Sequence, residues 1–170
     1  YYFKGYFAGT RSNDEKIAAL MDWTGDSYKS INGYLFGGRN PSKDVIHQVE
    51  CIDEAISDHI TRERFTVDRQ MRLSTFHVND MESLFDLNTG RTFEHIGYMA
   101  TSIKEGGIDV DGEDRIATRI LVPPGSAGVY VEPITQHPGE YEILLPRGRA
   151  LRFEGLGASD GRPIVYLRLL

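Results

Sequence analysis

The chain is poor in the features that usually announce a metal site, a disulfide scaffold or a membrane anchor. Its 170 residues include one cysteine, Cys51, so no intrachain disulfide can form. The five histidines (His47, His59, His77, His95, His137) are scattered, and no Cys/His cluster has zinc spacing, so no metal is expected. No apolar run reaches the ~18 residues that span a bilayer, and no signal-peptide pattern is visible. An excess of positive charge is also missing. Lys+Arg total 19 against 25 Asp+Glu, a net charge of −6. Such a surface repels phosphate backbones and argues against nucleic acid as a partner. Neither G-x-G-x-x-G nor a P-loop lysine occurs. The sequence opens "YYFKGYF" without Met, and so reads as a piece of a longer protein. Cys51 falls in a helical pattern, which predicts a small core residue.

What is present divides the chain in two. The first third is helical in pattern. "NDEKIAALMDW" places Ile17, Leu20 and Met21 at helical spacing behind the caps Ser12 and Asn13. "DSYKSINGYLF" predicts a second, short helix. "NPSKDVIHQVECIDEAISDHI" starts with Pro in its first turn and carries the stripe Val45, Val49, Ile52, Ile56. From Phe65 the period changes to two. "RFTVDRQMRL", "HIGYMATSI", "RIATRILVP", "GVYVEPI", "YEILLP", "ALRFEGLG" and "PIVYLRLL" read as strands bounded by Gly or Pro. "DMESLFDL" reads as a short helix and "KEGGIDVDGED" as a polar loop. Helices followed by strands argue an α+β domain with N-terminal helices packed on a strand-rich core, and against a doubly wound nucleotide fold. The length suits one domain, residues 1–170.

Four stretches carry polar residues that packing does not require. In "PGEYEILLPRG", Glu140 and Glu142 are one residue apart; if "EYEILL" is a strand, both carboxylates share a face. That is either a solvated strand end or a pair in which one carboxylate stabilises a cation and the other acts as a base. In "FTVDRQMRL", Arg69 lies on the face of Phe65 and Val67, so it is either ion-paired or directed into a cleft. Thr101 and Ser102 place two hydroxyls on one strand, where they serve either as strand formers or as hydrogen-bond donors. Tyr28 and Asn32 share a helix face at i, i+4, and Asn is a weak helix former, which argues either a cap or a hydrogen-bonding task.

Taken together and in this order, the stretches resemble bacterial mono-ADP-ribosyltransferase toxins and effectors of the R-S-E type, with a likeness to the enzymatic components of binary actin-modifying toxins. The aromatic-Thr-Gly pattern reads "WTGDSYKSINGYL", with Trp23 at a position usually held by Tyr. The strand arginine motif reads "VDRQ", the Ser-Thr-Ser motif reads "ATS" (Ala100, Thr101, Ser102), and the Glu-x-Glu motif reads "EYE" followed by "ILLPRG". The likeness covers roughly Trp23 to Phe153.

The resemblance implies a β-sandwich core and a cleft in which NAD is bound as a substrate. It assigns Glu142 to the ribose 2′-hydroxyl and the developing oxocarbenium ion, and Arg69 to the diphosphate. Gln70 and Arg115 flank the phosphates, and Tyr28 and Asn32 contact NAD. Thr101 and Ser102 steady Glu142, because the first serine of their motif is Ala100 here. Glu140 faces the acceptor and suggests arginine, since relatives with Gln there modify asparagine. The implied partners are NAD and a target protein with an accessible arginine, with an immunity protein as a further candidate and no membrane. The implied setting is a protein secreted or injected into a target cell, acting in its cytoplasm. Two other readings use the same motifs: an NAD glycohydrolase with water as acceptor, and a degenerate relative that binds a partner without turnover.

Overall fold

A computed structural model describes residues 11–38, 40–107, 112 and 114–170. The opening "YYFKGYF" and Ile108–Asp111 and Glu113 of the Gly-rich loop lie outside the described residues. Helix α1 (Asn13–Asp22) starts with a capping box: Ser12 accepts from the Glu15 backbone N–H, and the Glu15 carboxylate accepts from that of Ser12. Its buried face differs from the expected one. Lys16, Ala19 and Leu20 point inward, whereas Ile17 and Met21 are 41% and 42% exposed. The cause is an ion pair that periodicity cannot show. Lys16 Nζ reaches Asp58 at 2.8 Å and Glu54 at 3.7 Å, so the helix turns its ammonium inward to meet charges on its neighbour.

A wide π-type turn, Trp23–Ser27, joins α1 to α2 (Tyr28–Leu35), with non-helical backbone at Gly25. Helix α3 (Lys43–Ser57) is capped by Ser42, whose Oγ accepts from Val45 N–H. Its expected stripe is buried at Val49, Ile52 and Ile56, joined by Cys51 and Ala55.

The strand-rich half contains β1 (Phe65–Arg72), a short helix α4 (Met81–Phe85), β2 (Thr92–His95), β3 (Met99–Ser102), β4 (Arg115–Val122), β5 (Val129–Tyr130), β6 (Glu142–Leu145), β7 (Arg149–Ser159) and β8 (Arg162–Leu169). They form one sheet in the order β2-β7-β8-β4-β1-β3-β6-β5. Among the described residues, only β4 and β8 pair in parallel. Strands β1 and β3 share a single rung, Asp68 with Ser102. The sheet therefore folds there into two leaves, and the α+β sandwich expectation holds.

Val67, Met71, Ile120, Phe153 and Leu167 of the larger leaf meet Met99, Ile143 and Leu145 of the smaller one in the main core. A second core lies between the helices and the outer face of the smaller leaf, where Leu20, Trp23, Ile31, Ile52 and Ile56 pack on Tyr98, Val129 and Leu144. "HIGYMATSI", expected as one strand, is divided between the leaves: His95 ends β2 and Met99 begins β3. Gly97 makes the crossing possible, because a Cβ there would lie 2.9 Å from the Phe36 ring.

Candidate active site

A cleft of about 440 Å³ opens between the helical layer and the hinge of the sandwich. Strand β1 supplies Arg69. Along β1 and β4 the inward rungs are Phe65–Val122, Val67–Ile120, Arg69–Thr118 and Met71–Ile116, so Arg69 and Thr118 make the one polar rung in an apolar ladder. Thr118 Oγ1 donates to the Arg69 carbonyl at 2.9 Å. The guanidinium Nη1 donates to the Ala100 carbonyl at 3.0 Å, and its Nε is buried without a partner. The neighbouring Asp68 takes the salt bridge instead, with Arg119 at 2.8 Å. Arg69 has no ion pair among the described residues, which decides between its two readings in favour of the cleft. Burial, and then the charge of Arg115, lower its pKa to about 10, so it stays charged at neutral pH.

The carboxylates come from β6 and the loop before it. Glu142, the first residue of β6, is 4% exposed. Glu140 lies outside the strand, and Tyr141 between them has φ of +50°. The alternation expected of a strand is therefore broken. It is this left-handed residue, together with a braced loop, that leaves both carboxylates on the cleft wall. The Glu132 carboxylate accepts from Gly139 N–H (2.6 Å) and Tyr141 N–H (2.7 Å), on either side of Glu140. Ser102 Oγ donates to the Glu140 carbonyl at 2.5 Å. Gln136 ties the same loop to the helices through Thr24 Oγ1 (3.1 Å) and the Met21 carbonyl (3.0 Å).

Burial raises the Glu142 pKa to about 7. An indole hydrogen bond from Trp23 works against that shift, the nearby Glu140 adds to it, and the charges of Arg69 and His137 oppose it. Buried His95 is held down to about 4, by desolvation first and by Arg69 second.

Tyr28, Asn32, Gln70 and Arg115 line the cleft with Arg69, Glu140 and Glu142. Asn32 Oδ1 is buried and has no partner, and Gln70 Nε2 donates to the Gly106 carbonyl at 3.3 Å. Two residues stand elsewhere. Thr101 is buried with its hydroxyl on the Ile143 carbonyl at 2.7 Å, and Ser102 is committed to Glu140 and to Lys104 N–H. Neither touches the Glu142 carboxylate, so the expectation that they steady it directly is corrected. They hold the backbone on either side of it, because strand register turns Thr101 toward Ile143. Sequence reasoning saw Trp23 only as a replacement for the usual Tyr and missed its bond to Glu142. It also missed Tyr98, His137 and Glu132, which lie outside the motifs or among loop residues. Among the described residues, no group of three or more His, Cys, Asp or Glu could hold a metal ion.

The profile of the ADP-ribosyltransferase exoenzyme family matches residues 4–163. The chain belongs to that family. Among ADP-ribosyltransferase exoenzyme relatives, it is 31% identical over 165 residues to the epidermal cell differentiation inhibitor of Staphylococcus aureus, covering 81% of this chain and 65% of that protein. It is 32% identical over 75 residues to mono-ADP-ribosyltransferase C3 of Clostridium botulinum C phage, covering 44% of this chain and 30% of that protein. The chain thus spans less than two thirds of the length of these curated relatives. The fold matches C3stau2 from S. aureus, whose crystal structure is with NAD. The TM-score is 0.76 at 21% identity, over 94% of this chain and 88% of that one. An ADP-ribosyltransferase exoenzyme cleft with one buried carboxylate, a second at its rim and an opposed arginine offers a site for a developing cation beside a site for an anion.

Proposed function

We propose that this domain cleaves NAD and transfers its ADP-ribose to an arginine of a target protein, as a secreted or injected effector acting inside another cell. The carrying observation is that Glu142 and Arg69, which has no ion pair among the described residues, line one cleft of about 440 Å³, within the ~300–1,000 Å³ typical of ligand sites. Arg69, with Arg115 and Gln70 nearby, offers donors to the diphosphate. Tyr28 and Asn32, which line the same cleft, contact the bound dinucleotide.

The bond that breaks joins the ribose C1′ to the nicotinamide nitrogen. Its electron pair leaves with nicotinamide, which departs neutral. The ribose then carries oxocarbenium-like positive charge, and ionised Glu142, accepting from the 2′-hydroxyl, stabilises it. A guanidinium nitrogen of the acceptor attacks C1′ and forms the new C–N bond. Guanidinium is a poor nucleophile because its pKa lies above ~12; Glu140 holds it at the cleft rim and receives the proton it sheds. The target protein is a partner of this reaction, and an immunity protein covering the cleft is a further candidate partner.

Incubation with labelled NAD and a polyarginine acceptor tests this. Glu142→Gln is expected to abolish both nicotinamide release and label transfer. Glu140→Gln is expected to abolish transfer while sparing much of the hydrolysis. Equal loss of the two activities in Glu140→Gln would sink the division of roles. Wild-type nicotinamide release with no labelled arginine in that acceptor or in cell lysates would point to a glycohydrolase.

A further inference from the structure

The Glu142 carboxylate is almost enclosed, yet the strand beside it supplies it with no donor. Directly across on β3 stands Ser102, whose Oγ already donates to the Glu140 carbonyl and accepts from Lys104 N–H. Diagonally across stands Ala100, paired with Leu144, which has no polar side chain to offer. The only side-chain hydrogen bond to Glu142 among the described residues comes from the opposite wall of the cleft: Trp23 Nε1 donates to Oε1 at 3.2 Å.

The indole is itself held. Its ring meets Tyr98 edge-on at 5.4 Å and Tyr28 at 6.3 Å. The Tyr98 hydroxyl is anchored on α3, 2.6 Å from Asp53 Oδ1 and 3.0 Å from the Val49 carbonyl. The backbone of Trp23 opens the π-type turn, so the ring is delivered from the helical layer into the cleft.

We propose that Trp23 is a positioning residue for Glu142, its indole N–H holding the carboxylate in its cleft-facing orientation from the helical side, where neither strand neighbour does so. The catalytic part of this inference rests on the reading of Glu142 given above; the hydrogen bond does not. The other titratable or charged groups around the carboxylate are Arg69 of β1, Arg115 of β4, Tyr28 of α2, Tyr98 beside β3, and Glu140 and His137 of the loop before β6. An N–H donor favours the ionised carboxylate, so its removal raises the pH at which Glu142 ionises.

Two measurements test the proposal. Trp23 is the chain's one tryptophan, so its emission reports on this contact without any substrate. In NAD-free protein the emission is expected to titrate near pH 7, where Glu142 ionises. The transition should survive His137→Gln and disappear in Glu142→Gln. A transition that persists in Glu142→Gln, or no transition in the wild type, overturns the hydrogen bond.

The second measurement uses Trp23→Phe, which keeps an aromatic ring against Tyr98 and removes the N–H. Nicotinamide release is expected to fall about tenfold in kcat at neutral pH, with KM for NAD within about threefold, the size of a lost hydrogen bond to a charged group. The acid limb of the pH profile should move to higher pH, so the defect shrinks as pH rises. Adding Ala100→Ser, which sets a hydroxyl diagonally across from Glu142, should restore part of the rate. An unchanged acid limb together with no rescue overturns the positioning role, since a merely structural change would depress the rate equally at every pH. Absence of nicotinamide release from the wild type, alongside the expected emission transition, overturns the enzymatic reading and leaves the hydrogen bond supported.

Discussion

Glu142 is held where its charge is costly. Its folded pKa is raised from 4.5 to about 7, so the folded state disfavours the anion that the proposed chemistry needs. The sign follows from linkage. Below pH 4.5 the carboxyl is protonated in both folded and unfolded chains and costs nothing. As pH rises toward 7 the unfolded chain ionises first, and stability is lost. Glu142→Gln, which cannot ionise but still accepts from Trp23, is therefore expected to be more stable than the wild type at pH 8. The gain is of order 3 kcal/mol at most, with near equality below pH 4.5. Thermal melts across that range check it; a Tm difference independent of pH would contradict the burial argument. Arg69 shows how a single residue resolves once its neighbours are known. Its place among apolar positions was legible from the alternation of Phe65 and Val67. Its freedom from an ion pair was not, because that depends on what the other strands bring to its face, where its partners are Thr118 and the Ala100 carbonyl rather than a carboxylate.

The loop from Glu132 to Tyr141 is the element that presents Glu140 on the cleft wall, and it is braced by polar contacts. Glu132 clamps the backbone on both sides of Glu140, Ser102 holds its carbonyl, and Gln136 ties the loop to the helices. Tyr141 adopts a left-handed backbone within that frame, a conformation that costs a non-glycine residue about 1 kcal/mol or more. Glu132→Ala releases two backbone N–H groups. It is expected to speed hydrogen exchange at Gly139 and Tyr141 and to cost about 1–3 kcal/mol; exchange rates matching the wild type at both amides would mean that the clamp does not order the loop. The motif "EYE" is visible as a pair of carboxylates, but strand alternation is the wrong reason for their shared wall. The bend at Tyr141 comes from partners far away in sequence.

At the scale of the whole molecule, the helices must stay seated on the smaller leaf for Trp23 to reach Glu142. Apart from apolar packing and the bonds of Gln136 to Thr24 and Met21, a polar cluster on α3 contributes to this. Asp53 of α3 receives the Tyr98 hydroxyl and a salt bridge from Arg147 at 2.7 Å. Asp53→Ala strips both partners, and because the site is partly open to water a loss of about 1–2 kcal/mol is expected. The same variant should weaken the Trp23 emission transition, since Tyr98 is the ring that Trp23 leans on. An unchanged melt and emission profile would show that the Asp53 cluster does not contribute to the seating.

Much of this arrangement is local and so was set by the sequence itself. The caps at Ser12 and Ser42, the stripe on α3 and the run of Gly- and Pro-bounded strands each depend on a few adjacent residues. The ordered motifs around Trp23, Arg69, Ala100 and Glu142 likewise pointed to the cleft residues. Tertiary structure alone decided the rest. Lys16 turns α1 because two carboxylates wait on α3, "HIGYMATSI" divides because its halves belong to different leaves, and Thr101 and Ser102 bond to backbone carbonyls rather than to Glu142. The donor to Glu142 comes from 119 residues away in sequence. Hydrogen bonds and ion pairs form between groups that folding brings within about 3–4 Å, and a linear pattern records which groups are present but not which of them meet.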